Sequence, residues 1–192
     1  MKRINSVLVA LAAILAANSS IADSIDFNVH SDALRFTYEM DLGKRRGPAL
    51  AADFGLLYSN DKDRLDGSMA HAGLHVRGEN WSETGTFDIR LGGRLMHSSR
   101  KGANLSALAP GMQLRYTPIH RVGFGGHIYY APGILAFQDA DEYREYGVRA
   151  DYQLLPQAFV YVGYRYIDVD VKNVSSAVKL EDNFHLGFKM LF

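Results

Sequence analysis

Residues 184–192 read Phe-His-Leu-Gly-Phe-Lys-Met-Leu-Phe. Phe184, Leu186, Phe188, Met190 and Phe192 fall at every second position, with His185, Gly187, Lys189 and Leu191 between them. Successive side chains of a strand point to opposite faces, so this period predicts a strand with one apolar and one polar face.

Working back from the C-terminus, the same period recurs. Tyr146, Val148, Ala150, Tyr152 and Leu154 alternate with Glu145, Gly147, Arg149, Asp151 and Gln153. Phe87, Ile89, Leu91, Gly93 and Leu95 alternate with Asp88, Arg90, Gly92 and Arg94, and Leu34, Phe36, Tyr38 and Met40 with Arg35, Thr37, Glu39 and Asp41. Further segments begin near Ala52, Ala70, Pro110, Val122 and Val160, and a weaker one holds Ile25, Phe27 and Val29. The count is about ten strands, most near the ~9–11 residues that cross a bilayer. Helical periodicity is scarce, and no stretch after Ala22 approaches 18 consecutive apolar residues.

The connections predict the topology. Gly43–Gly47, Gly78–Gly85, Thr117–His120 and Leu155–Gln157 are compact, whereas Ser59–Gly67, His97–Asn104, Ala131–Glu142 and Asp168–Asn183 are mostly longer and polar. Alternating turns and loops is the pattern of an outer-membrane barrel. A closed antiparallel transmembrane β-barrel of ten strands is expected rather than eight, because Ser24–His30 must run up to meet a strand that runs down. Closure is required in lipid, where an unpaired strand edge finds no hydrogen-bond partner.

The N-terminus reads as an address. Lys2 and Arg3 precede the apolar run Val7–Ala17, and Ser20 and Ala22 stand where a signal peptidase reads small residues. Residues 1–22 are therefore expected to be a secretory signal peptide cut before Asp23, leaving 23–192 as one barrel domain. The run is shorter than the ~20 residues of a spanning helix.

Composition narrows the function classes. The 192 residues include no Cys, which excludes a disulfide scaffold, a zinc-thiolate site and a cysteine nucleophile. Lys and Arg number 21 against 21 Asp and Glu, so the basic surplus of a nucleic-acid binder is missing.

A soluble periplasmic ligand-binding barrel with its apolar face inward would show the same alternation. Three features favour the opposite sense. The stretch Phe184, Leu186, Phe188, Met190, Phe192 resembles the closing strand read by the barrel-assembly machinery. The polar faces carry Gly and Arg rather than Lys and Glu. Tyr58, Tyr130, Tyr146 and Tyr166 fall near one rim and Tyr38, Tyr116, Tyr152 and Phe192 near the other, as two interfacial girdles would. The lipid-facing sets contain no charge, which would cost ~2–4 kcal/mol at midplane.

The opening DSIDFNVHSDALRFTYE (23–39), the Gly-rich alternating strands and the aromatic C-terminus together resemble the YfaZ family of Gram-negative outer-membrane proteins. The resemblance implies an outer-membrane barrel of undefined activity and carries over no site residues.

On this register the lumen receives the basic residues Arg35, Arg77, Arg90, Arg94, Arg115, Arg149, Arg165 and Lys189. Facing them are Glu39, Asp53, Asp88, Glu145 and Asp151, with His71, His75, His127 and His185. Two readings follow: a packed interior of ion pairs, or a narrow, anion-preferring path for hydrophilic solutes. The expected role is non-enzymatic, as a structural envelope component or a small porin-like channel, with no cofactor or metal, outer-membrane lipid as its surroundings and no nucleic-acid partner. The rival class is an outer-membrane enzyme, a surface protease or lipid-modifying barrel, using Asp168, Asp170 and His97 with Ser98 and Ser99 at the outer rim. Loop-mediated adhesion is a third, without a motif. His71 and His75, on one face, read as lumen groups rather than a metal site, and Asp139, Asp141 and Glu142 as a solvated acidic loop rather than a Ca²⁺ site. Gly123, Gly125 and Gly126 lack the following helix of a phosphate loop and instead relieve crowding in a curved strand.

Overall fold

The computed structural model describes residues 23–43, 49–60, 66–82, 85–100, 103–172 and 177–192. The expected signal peptide and its cleavage site lie outside the described residues, as do most of the connections Gly43–Gly47 and Ser59–Gly67.

The strands are β1 (Ser24–His30), β2 (Ala33–Asp41), β3 (Ala49–Asn60), β4 (Asp66–Ser82), β5 (Gly85–Arg100), β6 (Ala103–Ile119), β7 (Val122–Ala131), β8 (Ala136–Gln138), β9 (Ala140–Leu155), β10 (Ala158–Val171) and β11 (Val178–Leu191). Each long strand pairs antiparallel with the next, and β7 pairs with β9 across the short β8. β1 then pairs with β11, from Ser24↔Leu191 to Val29↔Leu186, and closes a ring of ten strands. Asp23 and Phe192 exchange backbone hydrogen bonds of 3.1 and 3.0 Å at this seam. β8 lies outside the ring, paired only to Leu105–Ala107 of β6. β6 pairs with β7 only from Gly111 onward, so Pro110, which has no N–H to give, sits between these two pairings.

Burial is inverted relative to a water-soluble protein. Leu91 is 57% exposed, Phe54 49% and Leu186 65%, whereas Arg35, Asp53 and Glu145 are at most 4% exposed. An apolar surface of this extent is stable against acyl chains and not against water. The soluble alternative, with the apolar face inward, is therefore set aside. Aromatic pairs mark both edges of the band: Phe87 stacks on Tyr116 with centroids 4.3 Å apart, and Tyr146 on Tyr166 at 4.9 Å. Tyr38, at the end with the turns, also donates to the Asp23 carboxylate.

The strands run further than the sequence led us to expect. β4 and β6 have 17 residues and β5 and β9 have 16, more than a bilayer needs. Two of the expected long loops are largely strand: β5 and β6 occupy most of His97–Asn104, and β10 and β11 extend into Asp168–Asn183 as far as Val171 and from Val178. In the strand extensions facing water, the alternation reverses. His97, Ser99, Asn104 and Ser106 are outside, and Met96, Leu105 and Ala107 are buried. A bulge with Leu180 as the extra residue, between Ile167↔Glu181 and Asp168↔Lys179, resets the face of β11 at this level.

Candidate functional site

The interior has three layers. The loop end is filled by apolar side chains: Leu57, Met69, Met96, Leu105, Tyr143, Ile167, Val169 and Leu180 are each no more than 2% exposed and form one cluster. They occupy the inward positions of the same strands that carry charge further down. Asp53 and Leu57 share a face of β3, His71 and Met69 a face of β4, and Arg94 and Met96 a face of β5.

Below this plug lies a belt of buried charge. Glu145 stands at its centre. Arg35 Nη1 and Arg94 Nη1 each lie 3.4 Å from its Oε1, His127 Nε2 is 3.3 Å away, and Tyr143 donates to Oε2 at 2.6 Å. Arg94 also donates through Nε to Asp53 at 3.0 Å, and its guanidinium lies 4.3 Å from the Tyr129 ring centroid. His71 Nε2 and His75 Nδ1 lie 3.3 and 3.5 Å from the two oxygens of Asp53. Arg165 pairs with Glu181 at 3.1 Å, contacts Asn28 and His185 at 3.4 Å, and leaves its buried Nε without a partner. Three guanidiniums thus meet three carboxylates, the arrangement that makes buried charge tolerable.

Glycine provides the room. A Cβ at Gly55 would fall on the His71 ring, and one at Gly111 would meet the Tyr129 ring and the Ile128 carbonyl. Several inward side chains, His71, Tyr129, His127, His185 and Tyr161 among them, lie across a glycine of the neighbouring strand, which explains why glycines occur on the polar faces.

The turn end is open. A cavity of about 350 Å³ is lined by Glu39, Asp88, Arg90, Arg115, Arg149, Asp151 and Lys189, among others, with Arg94 and Arg165 reaching it from the belt. Arg90 contacts Glu39 at 2.6 Å and Asp88 at 3.1 Å. Lys189 reaches Glu39 at 3.4 Å, and Arg149 reaches Asp26 at 3.3 Å. Arg77 also binds Asp88, and Arg115 binds Asp151. The structure therefore puts every lumen residue named from the sequence inside the ring, divided between belt and vestibule. Tyr129, Tyr143, Asp26 and Glu181 belong with them. Tyr129 follows from the β7 alternation, while Glu181 fell in a segment read as loop.

The outer-rim residues do not converge. His97 Nδ1 lies 2.8 Å from Ser106 Oγ, whereas Asp168 and Asp170 each accept from Arg144 at 3.1 Å. Ser99 donates to Asn104, and Ser98 to the Ser68 carbonyl. Asp139 accepts the Asn104 N–H at 3.0 Å, and Glu142 binds Arg144. Among the described residues, no group of three His, Asp or Glu side chains has metal-holding geometry.

A family model described as YfaZ precursor matches residues 1–192. The chain belongs to the YfaZ family. A comparison with curated proteins finds no match. Among solved structures, the outer membrane protease OmpT from Escherichia coli aligns at 9% identity and a TM-score of 0.45, covering 89% of this chain and 90% of that one. The NanC porin aligns at 8% identity and a TM-score of 0.43, covering 89% and 99%. The KdgM porin aligns at 10% identity and a TM-score of 0.42, also covering 89% and 99%. These are likenesses of fold among membrane barrels. The YfaZ family ring itself is assigned from its own strand pairing.

Proposed function

We propose that this YfaZ family barrel is a non-enzymatic, non-conducting component of the outer membrane, with its turn end facing the periplasm. The observation that carries this reading is the apolar plug. Leu57, Met69, Met96, Leu105 and Ile167 close the loop end with side chains that are 0–2% exposed. An ion crossing it would lose most of its hydration shell among side chains that are mainly apolar. The paired belt beneath favours the filled-interior reading over the porin-like path. The outer rim supports the absence of catalysis, because His97 and the Asp168–Asp170 pair are engaged separately.

In this reading the surrounding lipid contacts the band from Phe87 to Leu95 and its equivalents. The barrel-assembly machinery recognises Phe184, Leu186, Phe188, Met190 and Phe192. Planar-bilayer recording tests the proposal. The native barrel is expected to stay electrically silent over a wide voltage range, and Met96→Ser combined with Leu105→Ser is expected to introduce current steps. Regular conductance steps from the native barrel would overturn it.

A further inference from the structure

The cavity at the turn end is open at one end and capped by the belt at the other, so it can hold a ligand without passing it on. Its lining decides the ligand's charge. Arg115 is 32% exposed and its partner Asp151 3%; Arg149 is 29% exposed and its partner Asp26 14%. All four side chains line the cavity, and in these two pairs the guanidinium is the more exposed partner. Asp151 is occupied by two nitrogens of Arg115, and Asp26 by Tyr161, Asn28 and Arg149. Arg149, by contrast, makes a single hydrogen bond among the described residues, from Nη1 to Asp26, and most of its planar fork remains available.

Register places the two guanidinium groups for joint use. Arg115 pairs with Gly125, and Gly125 pairs with Arg149, so the arginines sit level on β6 and β9 with a side-chain-free strand position between them. Two strand spacings set their Cα atoms about 10 Å apart. Phe159 supports Arg115 from below, its ring centroid 5.5 Å from the guanidinium carbon. Lys189 is in register with Asp26, the carboxylate that Arg149 reaches.

We propose that this vestibule binds a small anion carrying two or more oxyanion groups, carboxylate or phosphate, between Arg115 and Arg149. Forked guanidinium donors match such groups in pairs, and the volume is that of a small-molecule site. The proposal deepens the reading above only in assuming that the turn end is reached from the periplasm.

The experiment is isothermal titration of the barrel, purified in non-ionic detergent, with citrate, pyrophosphate and glucose. Binding of citrate or pyrophosphate is expected, the stronger of the two naming the oxyanion, and none of glucose. Arg149→Gln and Arg115→Gln should each weaken binding by about tenfold or more, the scale of one charged hydrogen bond. Arg144→Gln, at the opposite end, should leave binding unchanged. Folding of each variant is read from its mobility on unheated gels. If Arg149→Gln does not fold, Arg149→Lys, which keeps the charge and loses the fork, is expected to weaken binding in its place. Failure of both anions to bind the folded barrel, or equal binding by the arginine variants, would overturn the proposal. Neither result touches the bilayer recordings, so the two readings fail separately.

Discussion

Leu91→Arg tests the orientation on which the rest is built. Leu91 lies on the lipid face of β5, four residues from Phe87 at one edge of the apolar band and four from Leu95 toward the other. At ~3.4 Å per residue this is about 14 Å along the strand. A tilt of roughly 45° leaves about 10 Å of depth, close to the middle of a band ~25 Å tall. A guanidinium there should cost about 2–4 kcal/mol, while Phe87→Arg, at the interface, should cost about 0–1 kcal/mol. Folding into phosphatidylcholine vesicles across a urea series, followed by gel mobility, measures the difference. With a slope near 2 kcal/mol per molar, Leu91→Arg should lower the midpoint by about 1–2 M. Equal losses at the two positions, or a loss at Leu91 below about 1 kcal/mol, would refute the assignment of this face to acyl chains.

Other variants address the interior. Glu145→Gln leaves Arg35 and Arg94 without their shared countercharge, and about 3–5 kcal/mol should be lost in the same assay. Gly55→Val drives a side chain into His71 and should destabilise by about 1–3 kcal/mol; combining it with His71→Ala should recover part of that loss, seen as non-additivity in a double-mutant cycle. Arg144→Ala releases the part-exposed Glu142 and Asp170 but also strips the buried Asp168 carboxylate of its ion pair, so stability in the same urea series should fall by about 1–3 kcal/mol.

Much of the architecture is legible in the alternation. The opposition of Phe87, Ile89 and Leu91 to Asp88 and Arg90 predicts which side meets lipid, because one register fixes every residue of a strand. The run Ser24–His30 predicts the tenth strand, since the parity of turns demands it. The strand ends were not legible. Asp168 and Asp170 look like loop residues when polarity is taken as the signal, yet they are the outward positions of a strand that has left the bilayer. Ile167 and Val169 are its inward positions.

The same change of solvent hid the plug. Leu57 follows Asp53 on the polar face of β3, and a single lipid-facing rule has no place for a leucine there. Two rules in succession, greasy outside within lipid and greasy inside above it, account for both residues. The division of the lumen charges into belt and vestibule needs the third dimension. Arg94 and Arg149 look alike in the sequence, but Arg94 is locked into the belt by Asp53 and Glu145, whereas Arg149 lies in the vestibule.

The seam between β1 and β11 joins the first described residue to the last. Ser24 is synthesised well before Leu191, so the ring cannot close until both strands are present. Closure depends on a contact between strands far apart in the sequence, the slowest kind of contact to form.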